Sequence, residues 1–410
     1  MLGAREKGVA VKRAFTVGLV ILCLALLACG GSSSNTASST QDDTAYVQGM
    51  IDSGQTIPAG NYVLRSTIIV TKSVIGAGPG THFTFQPSPP LQQCQNDRAF
   101  TTPCDSVYSG LVARPWRQIS GAIALNATSF QATDDVSDLQ PGDWLIITEK
   151  DNAVSEVVII DWAQVSSAVG NTVNVTAPFR TTFPNLRAWN PLSGGLGFLK
   201  AVNWAQNVTF SNFNLNVVNS DPNNGIPGIS VFAAQHVQIN NVNVTDQNGQ
   251  ALYSYLSQDL RLSNCSGNSG PTLNEFAATV DLQVSNCDFR SSGDAGFGLD
   301  FGTGFFTVTN NSSTGYGIGF YMLYGVHDGT VQGLSAPYVC STTNAVGILA
   351  RGTQNVTVTN ANLIGGQGAQ SVGISFGPAY LEVPLPSSGN ILGTNTFGEW
   401  SMDLDPTNQL

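Results

Sequence analysis

Three carboxylic acids lie within 26 positions of one another in the second half of the chain: Glu275, Asp294 and Asp300. A pair of carboxyls about 5–5.5 Å apart, or roughly 6.5–9.5 Å apart, is what acetal hydrolysis with retention or inversion requires. One acid protonates the leaving oxygen and the other acts as nucleophile or base. Tyr255 and Tyr324 fall in one register with Phe232 and Phe301, five residues before an apolar position. Facing outward, these rings would form a stacking platform; facing inward, they would form an aromatic core, which is the reading the spacing favours. Tyr321, His327 and Arg351 stand near that register. β-Elimination would instead need a cation to neutralise a uronate and a base beside it. Lys200, Arg261, Arg290 and Arg351 are scattered one per region, so only a convergence of Arg351, His327 and Tyr324 would serve.

Those residues must be positioned by strands. The 410 residues are 42% hydrophobic and 10% charged, with 44 Gly, 16 Lys+Arg, 27 Asp+Glu, three His and a formal charge of −11. That composition excludes a charged disordered tail protein and a coiled coil. No basic stripe exists to neutralise phosphates, so nucleic acid is not an expected partner. No CxxC or His/Cys spacing suggests a metal site, and no cofactor is expected.

A short frame recurs from about residue 205: Asn207-Val208-Thr209-Phe210-Ser211-Asn212, His236 to Asn241, Asp259 to Asn264, Asp281 to Asn286, Phe305 to Asn310 and Asn355 to Asn360. A degenerate copy runs from Asp328 to Gly333. The spacings at the second position are 29, 23, 22, 24, 23 and 27 residues. Each frame alternates with period two, as a half-buried strand does, and a second short strand follows it. Two or three short strands per repeat with no helix describe one coil of a parallel β-helix. The Asn column at 212, 241, 264, 286, 310 and 360 reads as architecture, because Asn tolerates the left-handed turn and its amide can bond one coil away. The column holding Asp259, Asp281 and Asp328 reads as a turn. Phe213, Val242, Cys265, Cys287 and Leu334 follow the Asn and should turn inward, making Cys265 and Cys287 a stacked buried thiol pair rather than a disulfide. Glu275, Asp294 and Asp300 then lie on or beside the second strands of successive coils. For each, a turn or solvated-strand role competes with the catalytic one.

The N-terminus reads as an address. Arg5, Lys7, Lys12 and Arg13 precede an apolar run of about 15 residues, shorter than the roughly 20 of a spanning helix. Leu26-Leu27-Ala28-Cys29 resembles the lipobox of bacterial lipoproteins. That resemblance implies removal of residues 1–28, lipidation of Cys29 and anchoring to a membrane. Residue 30 is Gly rather than Asp, which points to the outer membrane or cell surface if the source has two membranes. Residues 29–41 read as a Gly/Ser tether. Loss of the leader, with its four basic and one acidic side chains, leaves a charge of −14. Of the remaining cysteines, Cys94 and Cys104 flank a short polar loop and are the pair a disulfide would join.

Residues 42–90 carry a further likeness. Asp43-Thr44-Ala45, Gln48 and Ile51-Asp52, followed by Ile57-Pro58-Ala59-Gly60-Asn61-Tyr62 and Ile75-Gly76-Ala77-Gly78, resemble the opening of pectate-lyase-superfamily β-helix proteins. The resemblance implies an all-β, right-handed parallel β-helix with an N-terminal capping helix over residues 42–90 and coils over 195–400, with a tail at 401–410. Residues 91–194 break the rhythm and read as a small β-rich insertion, with turns at Pro141-Gly142 and Gly170-Asn171. The likeness implies a polysaccharide partner. It leaves activity open among hydrolase, lyase (for which calcium would be a cofactor) and non-catalytic binding or adhesion. The Asn-Thr-Asp, Asp-Asp, Gly-His-Gly and Arg-Ile-Lys set of polygalacturonase-like hydrolases is absent. Hydrolysis of a neutral or weakly charged glycan by Glu275, Asp294 or Asp300 is the reading the residues favour.

Overall fold

The computed structural model describes residues 41–87, 98–103, 116–153, 156–190, 194–202, 204–218, 227–337, 345–365, 371–379, 381 and 383–405. The leader, Cys29, the tether, Cys94 and Cys104 lie outside the described residues. Parallel pairing of strands one repeat apart builds an all-β solenoid of about 11 turns. A representative coil has three strands, Gln258–Ser263, Ser266–Ser269 and Asn274–Ala277. The third strands stack into one ten-stranded sheet. Inward residues of all three strands form one continuous core, with Phe276, Phe289, Phe297 and Phe320 among its fully buried rings.

Three columns of left-handed residues turn the chain. The Asn column behaves as its residue type predicts, with φ of 53–60° at Asn212, Asn241, Asn264, Asn286, Asn310 and Asn360, and Gly333 takes the place in the degenerate copy. The amide ladder is partial: Asn241 Nδ2 donates to Asn212 Oδ1 at 3.2 Å, whereas Asn264 turns to Asn240 Oδ1 at 3.4 Å. The turn column of Asn207, His236, Asp259, Asp281, Asp328 and Asn355 is likewise left-handed. The third column runs through Ala233, Leu256, Ala278, Phe301 and Tyr324, none suited to that conformation, before Gly352 continues it. Coil closure imposes it, against a cost of roughly 1–2 kcal/mol per residue.

Behind the Asn column, Phe213, Val242, Cys265, Cys287 and Leu334 are buried as expected. Cys265 and Cys287 are free thiols, with the Cys265 amide donating to Cys287 Sγ at 3.4 Å. Asn311 joins this inner column, accepting from the Cys287 amide at 2.8 Å and donating to Val284 O at 2.9 Å. A buried polar side chain is thereby fully used.

The helix Thr44–Asp52 closes the first coil. Val47 and Ile51 are buried beneath it, and its polar side chains occupy the open strand edge. Gln48 bonds both the amide and the carbonyl of Ile69, Asp43 accepts from the Val63 amide and Thr44 from the Arg65 amide. Unpaired edge groups that would invite another strand are thus satisfied within the chain.

The insertion is a closed six-stranded antiparallel barrel of Arg117–Ser120, Ser129–Ala132, Trp144–Asp151, Glu156–Val169, Thr172–Val175 and Gly195–Lys200. It has its own core, with Phe130, Leu145, Val165 and Phe198. The Gly170-Asn171 turn joins two paired strands. Gly195–Lys200, assigned from the sequence to the coils, pairs with Trp144–Asp151 and Arg117–Ser120 instead. Its apolar run suits a barrel wall as well as a coil, and periodicity cannot separate the two.

Four contacts seat the barrel on the solenoid. An apolar junction gathers Trp116, Trp144, Trp162, Trp189 and Trp204, five of the six tryptophans. Arg180 bridges barrel and coil, 2.8 Å from Asp161 and 2.6 Å from Asp281, with Phe305 under its guanidinium. Arg187, 3% exposed, pairs with the buried Glu149 and Asp151 and donates to the carbonyl of Val383. The Val158 backbone rests on Gly302 and Gly325, whose φ values are 76° and 88°. A methyl group at Gly325 would overlap the Val158 carbonyl. Gly325→Ala should therefore destabilise the junction by about 1–3 kcal/mol. Urea unfolding followed by tryptophan fluorescence should show its transition moving to lower denaturant, ahead of the solenoid's circular dichroism change.

Candidate active site

Alternation along the third strands decides which residues face out. Phe276, Phe297, Leu299, Phe320 and Met322 belong to the solenoid core, so Glu275, Gly298, Asp300 and Tyr321 face the opposite side. Register then sets two outward rows. One contains Tyr253, Glu275, Gly298, Tyr321 and Leu349; Ala277 pairs with Asp300 in the other. Glu275 and Asp300 are therefore one coil and two residues apart, a backbone separation of about 8 Å from strand spacing and rise. Between them lie the two smallest outward residues, Ala277 and Gly298.

The missing side chain at Gly298 is used by a neighbour. Tyr321 lies over it, so that a Cβ there would overlap the ring. The ring leans back across the coil toward Glu275, and its hydroxyl joins the acids electrostatically. Burial first, then the charges of Asp300, Glu275 and Asp294, push the Tyr321 hydroxyl well above the ordinary tyrosine range. It remains a neutral hydrogen-bonding group at any working pH.

Asp300 is 4% exposed and accepts the Phe301 amide on Oδ1 at 2.8 Å. Burial, and next the charge of Glu275, hold its carboxyl well above the usual carboxylate range. Glu275 accepts from Gln250 Nε2 at 2.8 Å, which orients its carboxylate. Asp294 sits in the preceding turn, where Ser291 Oγ bonds its amide and its own Oδ1 accepts the Ala295 amide at 2.8 Å. Burial raises its pKa as well. Glu275 and Asp300 thus share the outer face with Tyr321, and Asp294 in the adjoining turn adds its charge to Asp300 and Tyr321. Burial and the Glu275 charge raise the pKa of one, and an amide donor holds another, an asymmetry of the kind that separates an acid from its partner.

The other expected residues divide. Tyr255 is on the same sheet, against Phe232 at 5.6 Å and stacked with Tyr253 at 6.4 Å. Tyr324 stacks on Phe301 at 5.5 Å with planes 7° apart. These rings belong to the barrel–solenoid junction or to corners outside the coils, which corrects the core reading. They also occupy two columns: Phe232 pairs with Tyr255, while Phe301 and Tyr324 are corner residues. Arg351 is turned along the next coil, donating to Ala350 O, Ser375 O and Ser375 Oγ. His327 packs on Phe305 at the start of a different sheet and contacts Asp328 at 2.9 Å. The side chains of Arg351, His327 and Tyr324 make these contacts with different residues, while the Tyr324 amide donates to the Arg351 carbonyl on the next coil at 3.0 Å.

The barrel supplies groups that the sequence reading passed over. Glu156 accepts from the Tyr255 hydroxyl at 3.3 Å, and Lys150 Nζ lies 4.7 Å from the centre of the Trp116 ring. Lysine scarcity was the available signal, since only Lys72, Lys150 and Lys200 follow the leader. No group of three or more His, Cys, Asp or Glu able to hold a metal occurs among the described residues.

No family model and no curated protein matches the chain by sequence. Solved structures do match by shape. The tailspike gp61 of Pseudomonas phage phi297 is 15% identical, with a TM-score of 0.60 over 91% of this chain. The chain spans 66% of that tailspike's length, just under two thirds. The Gp54 tailspike of Acinetobacter baumannii bacteriophage AP22, solved with a capsular saccharide of its host, is 15% identical with a TM-score of 0.52. That match covers 87% of this chain and 67% of the tailspike's. At such identity the likeness establishes the β-helix fold.

The raised pKa of Asp300 links stability to pH. The folded state holds this proton more tightly than the unfolded chain, so the contribution is complete below the unfolded value near 4 and is lost as pH rises through the folded one. Asp300→Asn keeps the acceptor for the Phe301 amide and removes the charge. Its Tm should match the wild type near pH 4 and exceed it increasingly toward pH 8, as read by thermal unfolding across that range.

Proposed function

We propose that this chain is an extracytoplasmic, glycan-cleaving β-helix protein that hydrolyses glycosidic bonds with Asp300 and Glu275. The observation that carries the reading is their diagonal placement on adjacent coils, with Tyr321 folded over Gly298 beside them. Asp300, neutral through burial, donates a proton to the leaving oxygen. Glu275, oriented by Gln250, acts on the other face of the sugar as nucleophile or through water. Asp294 keeps the local potential negative and helps hold Asp300 protonated. A capsular saccharide bound to a tailspike of this fold supports a polysaccharide as the substrate class. The −14 charge of the chain without its leader favours a neutral or weakly charged one. The lipobox at Cys29 would anchor the protein to the cell envelope through lipid, at the outer membrane or cell surface.

A non-catalytic glycan-binding or adhesin role is the second reading. It is favoured by the backbone amides that Asp294 and Asp300 each accept, as turn-stabilising acids do. Lyase chemistry lacks support from the side chains of Arg351, His327 and Tyr324, which contact different residues.

A panel of polysaccharides assayed for new reducing ends, and for 235 nm absorbance from unsaturated products with and without calcium, separates the three readings. Reducing ends without absorbance are expected. Asp300→Asn and Glu275→Gln should each lower kcat by about 10²–10⁴-fold, with glycan retention on affinity electrophoresis preserved. Binding of the panel with no product would leave the second reading.

A further inference from the structure

The barrel wall facing the acids carries an unusual pair. Lys150 and Glu156 lie on neighbouring antiparallel strands, where Lys150 pairs with Val157 and Asp151 with Glu156. Both are largely buried, and among the described residues neither makes an ion pair. Burial lowers the Lys150 pKa and raises that of Glu156, while each charge partly opposes the shift of the other. The ammonium lies on the Trp116 ring, and the carboxyl accepts one hydrogen bond, from Tyr255. Two largely buried groups of opposite sign thus lie within reach of each other's charge without closing an ion pair, with donor and acceptor capacity left over. Aromatic faces border both of them. Arg187 with Glu149 and Asp151, a few residues away, shows what this barrel does when it needs only a structural pair: it closes the bridge at 2.8–3.0 Å.

This wall stands beside the acids. Tyr255 lies one strand from Ala277, which pairs with Asp300, and the charge of Glu156 acts on Asp300 directly. Lys150 and Glu156 together suit a group that accepts from an ammonium and donates to a carboxylate. Adjacent hydroxyls of a neutral sugar ring have that chemistry, and their C–H face suits an indole or phenol ring. A uronate would meet Glu156, Glu275, Asp294 and Asp300 at once.

We propose that Lys150, Glu156, Trp116 and Tyr255 form a sugar subsite beside the acids, in which Lys150 and Glu156 grip vicinal hydroxyls of a neutral glycosyl residue. The subsite rests on the glycan-cleaving reading for its place in a reaction, though not for its binding. Lys150 and Glu156 act here as positioning residues, so loss of either should appear in binding, and loss of Lys150 in KM rather than in the chemical step.

The test uses the full-length protein and immobilised gluco-, galacto-, manno- and xylo-hexasaccharides, with polyuronate as the anionic control. Wild type should be retained on at least one neutral probe and not on polyuronate. Lys150→Met and Glu156→Gln should each weaken that retention about tenfold. On a cleaved substrate Lys150→Met should raise KM by a similar factor with kcat changed less than about twofold, whereas Glu156→Gln, whose charge acts on Asp300, is read by retention. Tyr255→Phe, which deletes one hydroxyl, guards against misfolding and should weaken retention by a smaller factor. Equal retention of wild type and all three variants on every probe, including no retention at all, overturns the subsite. A preference for polyuronate overturns it too. If retention depends on Lys150 and Glu156 but no probe is cleaved, the subsite stands and the hydrolase reading falls. If Asp300→Asn abolishes cleavage while Lys150→Met and Glu156→Gln leave retention intact, the hydrolase stands and the subsite falls.

Discussion

Every functional relation in this molecule descends from the hydrogen-bonded register of one coil on the next. Parallel pairing fixes the spacing between coils at about 4.8 Å, and it does so for side chains far apart in sequence. Glu275 and Asp300 are 25 residues apart in the chain and become diagonal neighbours because Glu275 pairs with Gly298 and Ala277 with Asp300. Slipping that register by one residue would send both acids into the core. The apolar inner rows, with Phe297 on Phe320 at 4.5 Å and Phe276 at 6.3 Å, make such a slip costly. The site is therefore as rigid as the solenoid core beneath it.

The barrel packs against the outer face of the sheet beside the acids, and its seat is built by a small change in the repeat. From Ala278 to Leu282 a corner and its frame are four positions apart; from Phe301 to Phe306 and from Tyr324 to Gly329 they are five. The additional residues are Gly302 and Gly325, on which the Val158 backbone rests. The same barrel strand carries Glu156 two residues earlier, beside Tyr255. A lengthened corner thus positions a wall of the site. The Arg187 triad reinforces it from the other side: losing the guanidinium would leave Glu149 and Asp151 buried without their cation, a far greater penalty than losing a surface pair.

The parts legible in the sequence were those governed by local chemistry repeated many times. Asn at a left-handed corner, Val or Phe every second residue, and Ala45, Gln48 and Asp52 at helix-compatible spacing all carry their reason within a few positions. The closeness of Glu275, Asp294 and Asp300 was legible for the same reason, because counting coils is enough. What escaped was set by single insertions or by contacts between distant segments. The added glycines shifted Phe301 and Tyr324 one column away from Phe232 and Tyr255, so four rings in one apparent register proved to be two sets. Gly195–Lys200 looked like coil because a buried strand has one appearance in either setting. Lys150, Glu156 and Trp116 gave no local hint of the acids beside them, since only the docked barrel brings them there.

Asp300 and Glu275 form one electrostatic unit on the outer face of the sheet, in which burial and the Glu275 charge hold the Asp300 carboxyl above the usual carboxylate range. Carbon NMR of selectively labelled aspartate carboxyls, titrated in the wild type and in Glu275→Gln, measures this directly. The account predicts an Asp300 resonance that titrates well above the ordinary carboxylate range and moves to lower pH when the Glu275 charge is removed. An Asp300 carboxyl that titrates in the ordinary range, or that does not respond to Glu275→Gln, would contradict it.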